Sequence, residues 1–174
     1  MTIAVAREPL ALELLDARGV LDAATDGLRT RRLAEVVEMK IAAQWAAIHG
    51  HPRAESERLD PMTQPGGDGT PLVREYAIPE LAMARETHPA TTRALMADTL
   101  DLMHRLPHTW AVVAAGNCEP WIARKVAVES RSLDADQISL VDAAVAPLLA
   151  GAHAAKTVLD TTTAAVKRAD PEAD

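Results

Sequence analysis

Three groups of side chains in this sequence have types and spacings that could do chemistry. Arg124, Lys125 and Arg131 lie on one predicted helix, Pro120 to Arg131, where a cationic face could contact the phosphates or base edges of DNA. His104 and His108 are four residues apart, the spacing at which two imidazoles share a helical face and chelate a metal. Pro107 lies between them and opens a new helix, so that shared face is lost. His49 and His51 straddle a helix end at Gly50, and neither histidine pair has a third ligand at helical spacing. Cys118 precedes a helix N-terminus, where a thiol pKa can fall. With His108 nearby only in the chain, the favoured reading is a small residue buried beneath a turn. Ser130 and Ser132 have no adjacent base, and no Gly-Lys-Ser/Thr follows Gly66, Gly67 and Gly69 to make a phosphate loop. No catalytic constellation, metal site or cofactor site is expected, and no small-molecule substrate is evident.

The elements that must hold these residues are punctuated clearly. From His104 to Gly151 three helices follow one another. Pro107 opens the first, Gly116 ends it, Pro120 opens the second, and Asp134 caps the third. The pair around Gly116 reads as a helix-turn-helix-like unit, with Trp121 or Ile122, Ala123, Val126 and Ala127 facing inward. Asn117 stands where an apolar residue usually follows the glycine, and the spacing needs one extra turn residue. Upstream, apolar residues from Leu12 to Ile48 recur at helical spacing, so a helical region is expected from Pro9 to His49, broken at Gly19 and Gly27, with Trp45 as a core anchor. Residues 51–71, rich in Pro, Gly and charge, read as one flexible, solvated loop. Helices are expected at Ile78–Glu86, at Pro89–Arg105 with Leu95, Leu100, Leu102 and Met103 inside, and at Ala152–Arg168.

Composition supports an all-α fold, a single multi-helix bundle. Alanine, the best helix former, dominates the 174 residues; Phe is absent, and the aromatics are Trp45, Tyr76, Trp110 and Trp121. With 18 basic and 25 acidic residues, the net charge of −7 has the wrong sign for a domain that coats nucleic acid. The span Pro89–Arg131 is closer to balance, with five basic and four acidic residues, but it is not a basic patch. A lone cysteine allows no intrachain disulfide and no cysteine zinc cluster. Early charges argue against a signal peptide, and no apolar run approaches a membrane span, so a cytoplasmic location without membrane partners is expected.

The order of motifs resembles one family. Gly69-Thr70-Pro71-Leu72-Val73 leads into Glu75-Tyr76-Ala77 and Pro79-Glu80-Leu81-Ala82. Next come Arg105-Leu106-Pro107, Trp110, Gly116, then Pro120-Trp121-Ile122-Ala123-Arg124. Leu133, Val141-Asp142 and Asp170-Pro171-Glu172 follow. This series is similar to the actinobacterial "domain of unknown function 222" family, which includes the 13-E-12 repeat proteins and commonly precedes an HNH endonuclease domain. The resemblance runs from about Glu35 onward. It implies a mostly helical module without catalytic residues of its own, because the histidine and asparagine pattern of an HNH site is missing. Family members continue past the Asp-Pro-Glu element, so the chain is expected to be the N-terminal part of a longer domain. Two functions follow as expectations. One is recognition or targeting of DNA through Arg124, Lys125 and Arg131. The alternative is an assembly module that pairs with itself as a homodimer or with a C-terminal nuclease domain.

Overall fold

A computed structural model describes residues 11–52 and 59–171. It is an all-α bundle. After a short 3-10 turn (Leu12–Leu14) come α1 (Ala17–Ile48), β1 (Met62–Thr63), β2 (Val73–Arg74), α2 (Ala77–Ala84), α3 (Pro89–Arg105), α4 (Pro107–Ala114), α5 (Pro120–Ser130), α6 (Ala135–Ala150) and α7 (Ala155–Ala169). The expected start at Pro9 lies outside the described residues, as do residues 53–58 of the loop and Glu172 of the Asp-Pro-Glu run. No described helix is long and apolar enough to cross a membrane.

The helix boundaries follow from local chemistry. Asp16 caps α1 by accepting from the Gly19 N–H at 2.8 Å. His88 caps α3, its Nδ1 accepting from the Ala90 N–H, with Pro89 in the first turn. Asp134 and Gln137 form a reciprocal capping box on α6, with bonds of 2.8 and 3.0 Å. Leu106 precedes α4 and has no side-chain acceptor to offer. Asp142 supplies one from α6 instead, accepting from the His108 and Thr109 amides at 2.9 and 2.8 Å. A residue 34 positions away in sequence thus closes a helix end.

The centrally placed helix is α3, which packs on α1, α2, α4, α5 and α6, while α6 and α7 form an extensive antiparallel pair. Met39, Ile78, Met96, Leu100, Leu102, Leu106, Val113, Val126, Leu133 and Ile138 are fully buried around it. Alanines at Ala42, Ala46, Ala123 and Ala127 let the helices approach closely. Met96, rather than Met103, takes the inward position on α3. Trp45 is half-buried and anchored by its indole N–H, which donates to the Ala77 carbonyl at 2.7 Å.

Two expectations need correction. The first helix is not broken at Gly19 or Gly27: α1 is continuous for 32 residues, about 48 Å at 1.5 Å per residue. A helical glycine costs only about 1 kcal/mol, too little to interrupt a helix anchored by packing at its other end. Within the expected loop of residues 51–71, the described residues 59–71 are not simply solvated. Met62 and Thr63 pair with Arg74 and Val73, and the turn beyond them is pinned against α3. There the Gly67 N–H donates to Asp101 at 2.7 Å, and Gln64 donates to the Gly67 and Thr70 carbonyls. Polar composition signalled a loop correctly but could not show that the loop has a buried acceptor to fold onto.

Candidate nucleic-acid interface

The turn between α4 and α5 places the candidate helix. Gly116 adopts a left-handed φ of +73°, and a Cβ there would also meet Leu33 at 3.1 Å. The Gly116 and Asn117 amides close the turn onto the Val113 and Val112 carbonyls at 2.8 and 3.2 Å. Glu119 occupies the cap position of α5 but makes no capping bond; its carboxylate instead accepts from Arg31 and Arg32 of α1 at 2.7–2.9 Å. The Arg31 hydrogen bond outweighs burial and, with Arg32, holds the Glu119 carboxyl below the ordinary carboxylate range.

Along α5, Ile122, Ala123, Val126 and Ala127 are buried, so Ile122 is the inward residue and Trp121 faces out. Trp121 and Val128 are 44% and 53% exposed, seven residues apart, with Arg124 and Lys125 between them on the same face. Together with Arg131 and Ala94 they border a groove of about 520 Å³ between α5 and α3. Lys125 is exposed and has no ion-pair partner among the described residues.

Arg124 and Arg131 are not free. Arg124 Nε donates to Asp98 at 2.8 Å; Arg131 donates to Asp98 at 2.7 Å and to Asp101 at 2.6 Å. Burial works against the charge of Arg131, but its bonds to Asp101 and Asp98 prevail and raise its pKa. Beneath it, Arg105 is buried with Asp101 and donates to the Arg131 and Leu133 carbonyls. Gly67 closes over this guanidinium so tightly that a Cβ would lie 1.9 Å from Arg105 Nη1. Asp98, Asp101 and Arg105 were not anticipated as partners. Their signal was present, because steps of three and four residues put them on one face of α3, amid its core-facing leucines.

The two arginines therefore reach the groove as oriented groups. Asp98 holds Arg124 through Nε, and neither terminal nitrogen of Arg124 has a hydrogen bond among the described residues. The same carboxylates cancel charge; with buried Arg105 sharing Asp101, four cations around two acids leave a net excess of about two.

The other chemical candidates lie elsewhere. His104 ends α3 and His108 opens α4, where His108 Nδ1 meets Asp142 at 2.9 Å. His49 packs against Trp45 with the rings tilted by 49° and their centroids 4.3 Å apart, and contacts Arg74. No group of three His, Cys, Asp or Glu side chains is arranged to hold a metal among the described residues. Cys118 is buried beneath the α4–α5 turn, and burial pushes its thiol pKa up to about 11, opposite to an activated nucleophile. Ser130 donates its hydroxyl to the Val126 carbonyl at 2.8 Å within its own helix. Gly67 serves the Asp101–Arg105 contact and does not form a phosphate cradle. No family model, curated protein or solved structure matches this chain.

Proposed function

We propose that this chain is a non-catalytic helical recognition module that contacts DNA through the exposed face of α5, of the kind that accompanies HNH endonuclease domains. One observation carries the reading: Arg124 and Arg131, oriented from below by buried Asp98 and Asp101, converge with Lys125 and exposed Trp121 on a single groove. An arginine fixed by a buried carboxylate loses less side-chain freedom on meeting a phosphate or base edge than a free one does. Trp121 adds a flat apolar surface for a sugar or an unstacked base. The motif series resembling the domain of unknown function 222 supports the same reading by association. The acids beneath the arginines set its scale. Contact should be local and weak, not the broad neutralisation made by a basic DNA-coating protein.

Fluorescence anisotropy on a short duplex, with salt as the variable, tests this. The expected result is binding at low salt with a logarithmic salt slope of magnitude about one to two, against the roughly ten of a strongly basic repressor. Lys125→Glu, which removes no intramolecular bond, should abolish that binding, and Arg124→Ala with Lys125→Ala should flatten the slope. No binding at low salt, or a slope unchanged in both variants, overturns the reading.

A further inference from the structure

Between α1, α3 and α4 lies a cavity of about 450 Å³ that shares no residue with the α5 groove. Its floor includes Ala43 of α1 and Leu100 of α3, both buried in the core. Met103 and the half-buried Trp110 form walls, and Pro71 adds another from the segment that Asp101 pins onto α3. This size and this apolar lining suit a small molecule rather than a second helix.

The polar groups around the cavity lack partners. Lys40 and His104 stand exposed at its rim, and neither side chain has a hydrogen bond or ion pair among the described residues. Lys40 has no acid one turn away on α1, where Val36, Val37, Ala43 and Gln44 are its neighbours. Asp101 lies one turn before His104, but that carboxylate is buried and taken by Gly67, Arg105 and Arg131. The two bundle tryptophans differ in the same way. The Trp45 indole N–H donates to the Ala77 carbonyl, whereas that of Trp110 has no acceptor among the described residues and remains accessible. No described Asp or Glu lines the cavity, while the α5 groove is bordered by Asp98. In a chain of net charge −7, this cavity is thus lined by one unpaired cation and no acid.

Those features select the occupant. A flat apolar body suits the space among Leu100, Met103 and the Trp110 ring, and a negative end suits Lys40. A neutral apolar molecule would leave the ammonium and the indole N–H unused, and a cation would be repelled. We infer that this cavity binds a small aromatic carboxylate, its ring among Leu100, Met103 and Trp110 and its carboxylate facing Lys40 and His104. The inference uses none of the α5 groove residues and is independent of the DNA reading.

Titration of the full chain with cinnamate, followed by nitrogen–proton correlation spectra of its three indole N–H groups, tests the site. The Trp110 signal should shift and saturate, while those of Trp45 and Trp121 stay in place. Cinnamamide, the uncharged counterpart, should bind about threefold more weakly, as expected of one exposed charge pair. Lys40→Met should remove that preference without weakening the amide, since Lys40 has no intramolecular partner to lose. Ala47→Tyr fills the cavity from an exposed position and should weaken both ligands by about tenfold with unchanged helicity. A Trp110 signal unmoved by millimolar cinnamate overturns the inference. So does equal affinity for acid and amide, a preference that survives Lys40→Met, or binding unchanged in Ala47→Tyr. Cinnamate that shifts Trp121 instead of Trp110 lies on the α5 groove and overturns it too.

Discussion

Asp101 shows how one side chain joins distant parts of this molecule. Fully buried on α3, it accepts from the Gly67 N–H, from Arg105 one turn along its own helix, and from Arg131 at the end of α5. Removing the carboxylate leaves the buried Gly67 amide without its acceptor and buried Arg105 without a counter-charge, while Arg131 keeps Asp98 alone. Breaking a buried pair from one side costs about 3–5 kcal/mol, far more than loss of a surface ion pair. Asp101→Ala should therefore lower stability by about that amount in urea unfolding. The surface substitution Lys125→Glu should leave the urea midpoint nearly unchanged. If Asp101→Ala changed stability by less than about 1 kcal/mol, the cluster would not be holding the 59–71 segment and α5 onto α3. Cys118 illustrates the opposite case, a chemically capable residue whose burial makes it inert.

At the scale of elements, the junction between α1 and α5 is held at its surface by Glu119. Its carboxylate bridges Arg31 and Arg32 at the point where α1 leaves the bundle. The folded-state pKa of Glu119 lies below its unfolded value, and Arg31 is correspondingly raised, chiefly by the same hydrogen bond. The sign follows by linkage: this contribution is fully present above the unfolded carboxylate pKa and is lost as pH falls through the lower folded value. Partly exposed pairs contribute up to about 1 kcal/mol, so the bundle should survive acidification while the α1 exit loosens. Protection of amides 28–35, taken relative to intrinsic exchange at each pH, should fall as pH drops below the ordinary carboxylate range, and Glu119→Gln should show that lower protection already at pH 6. Identical exchange in the two proteins at pH 6 would mean that the clasp does not hold α1.

The whole molecule divides into a packed bundle and a projecting helix half. Residues 36–48 of α1 share the core of α2 and α3, whereas residues 17–28 depend on helix propensity, one cap and the Arg18–Asp22 pair before the Glu119 clasp is reached at Arg31. An isolated segment of that length is marginal in water, and Gly19 and Gly27 weaken it further. Hydrogen exchange on dilute protein should therefore show amides 17–28 exchanging at least a hundredfold faster than amides 39–48. Uniform protection along α1 would mean that the outer half is covered even at dilution.

The sequence by itself determined the all-α class, the order and approximate ends of its helices, the left-handed stop at Gly116 and the cap at Asp134. Each depends on residues within a few positions of one another, where propensity, capping and glycine conformation act locally. It also identified α5 as a cationic helix. Tertiary structure alone decided that Arg124 and Arg131 rest on Asp98 and Asp101, that Trp121 rather than Ile122 faces out, and that Asp142 closes α4. It likewise decided that Gly67 seats on Arg105. These pairings join residues 26 to 38 positions apart, and Trp121 and Ile122 compete for one inward position by an angle that α3 settles. Sequence spacing records which residues share a face; only packing determines what that face meets.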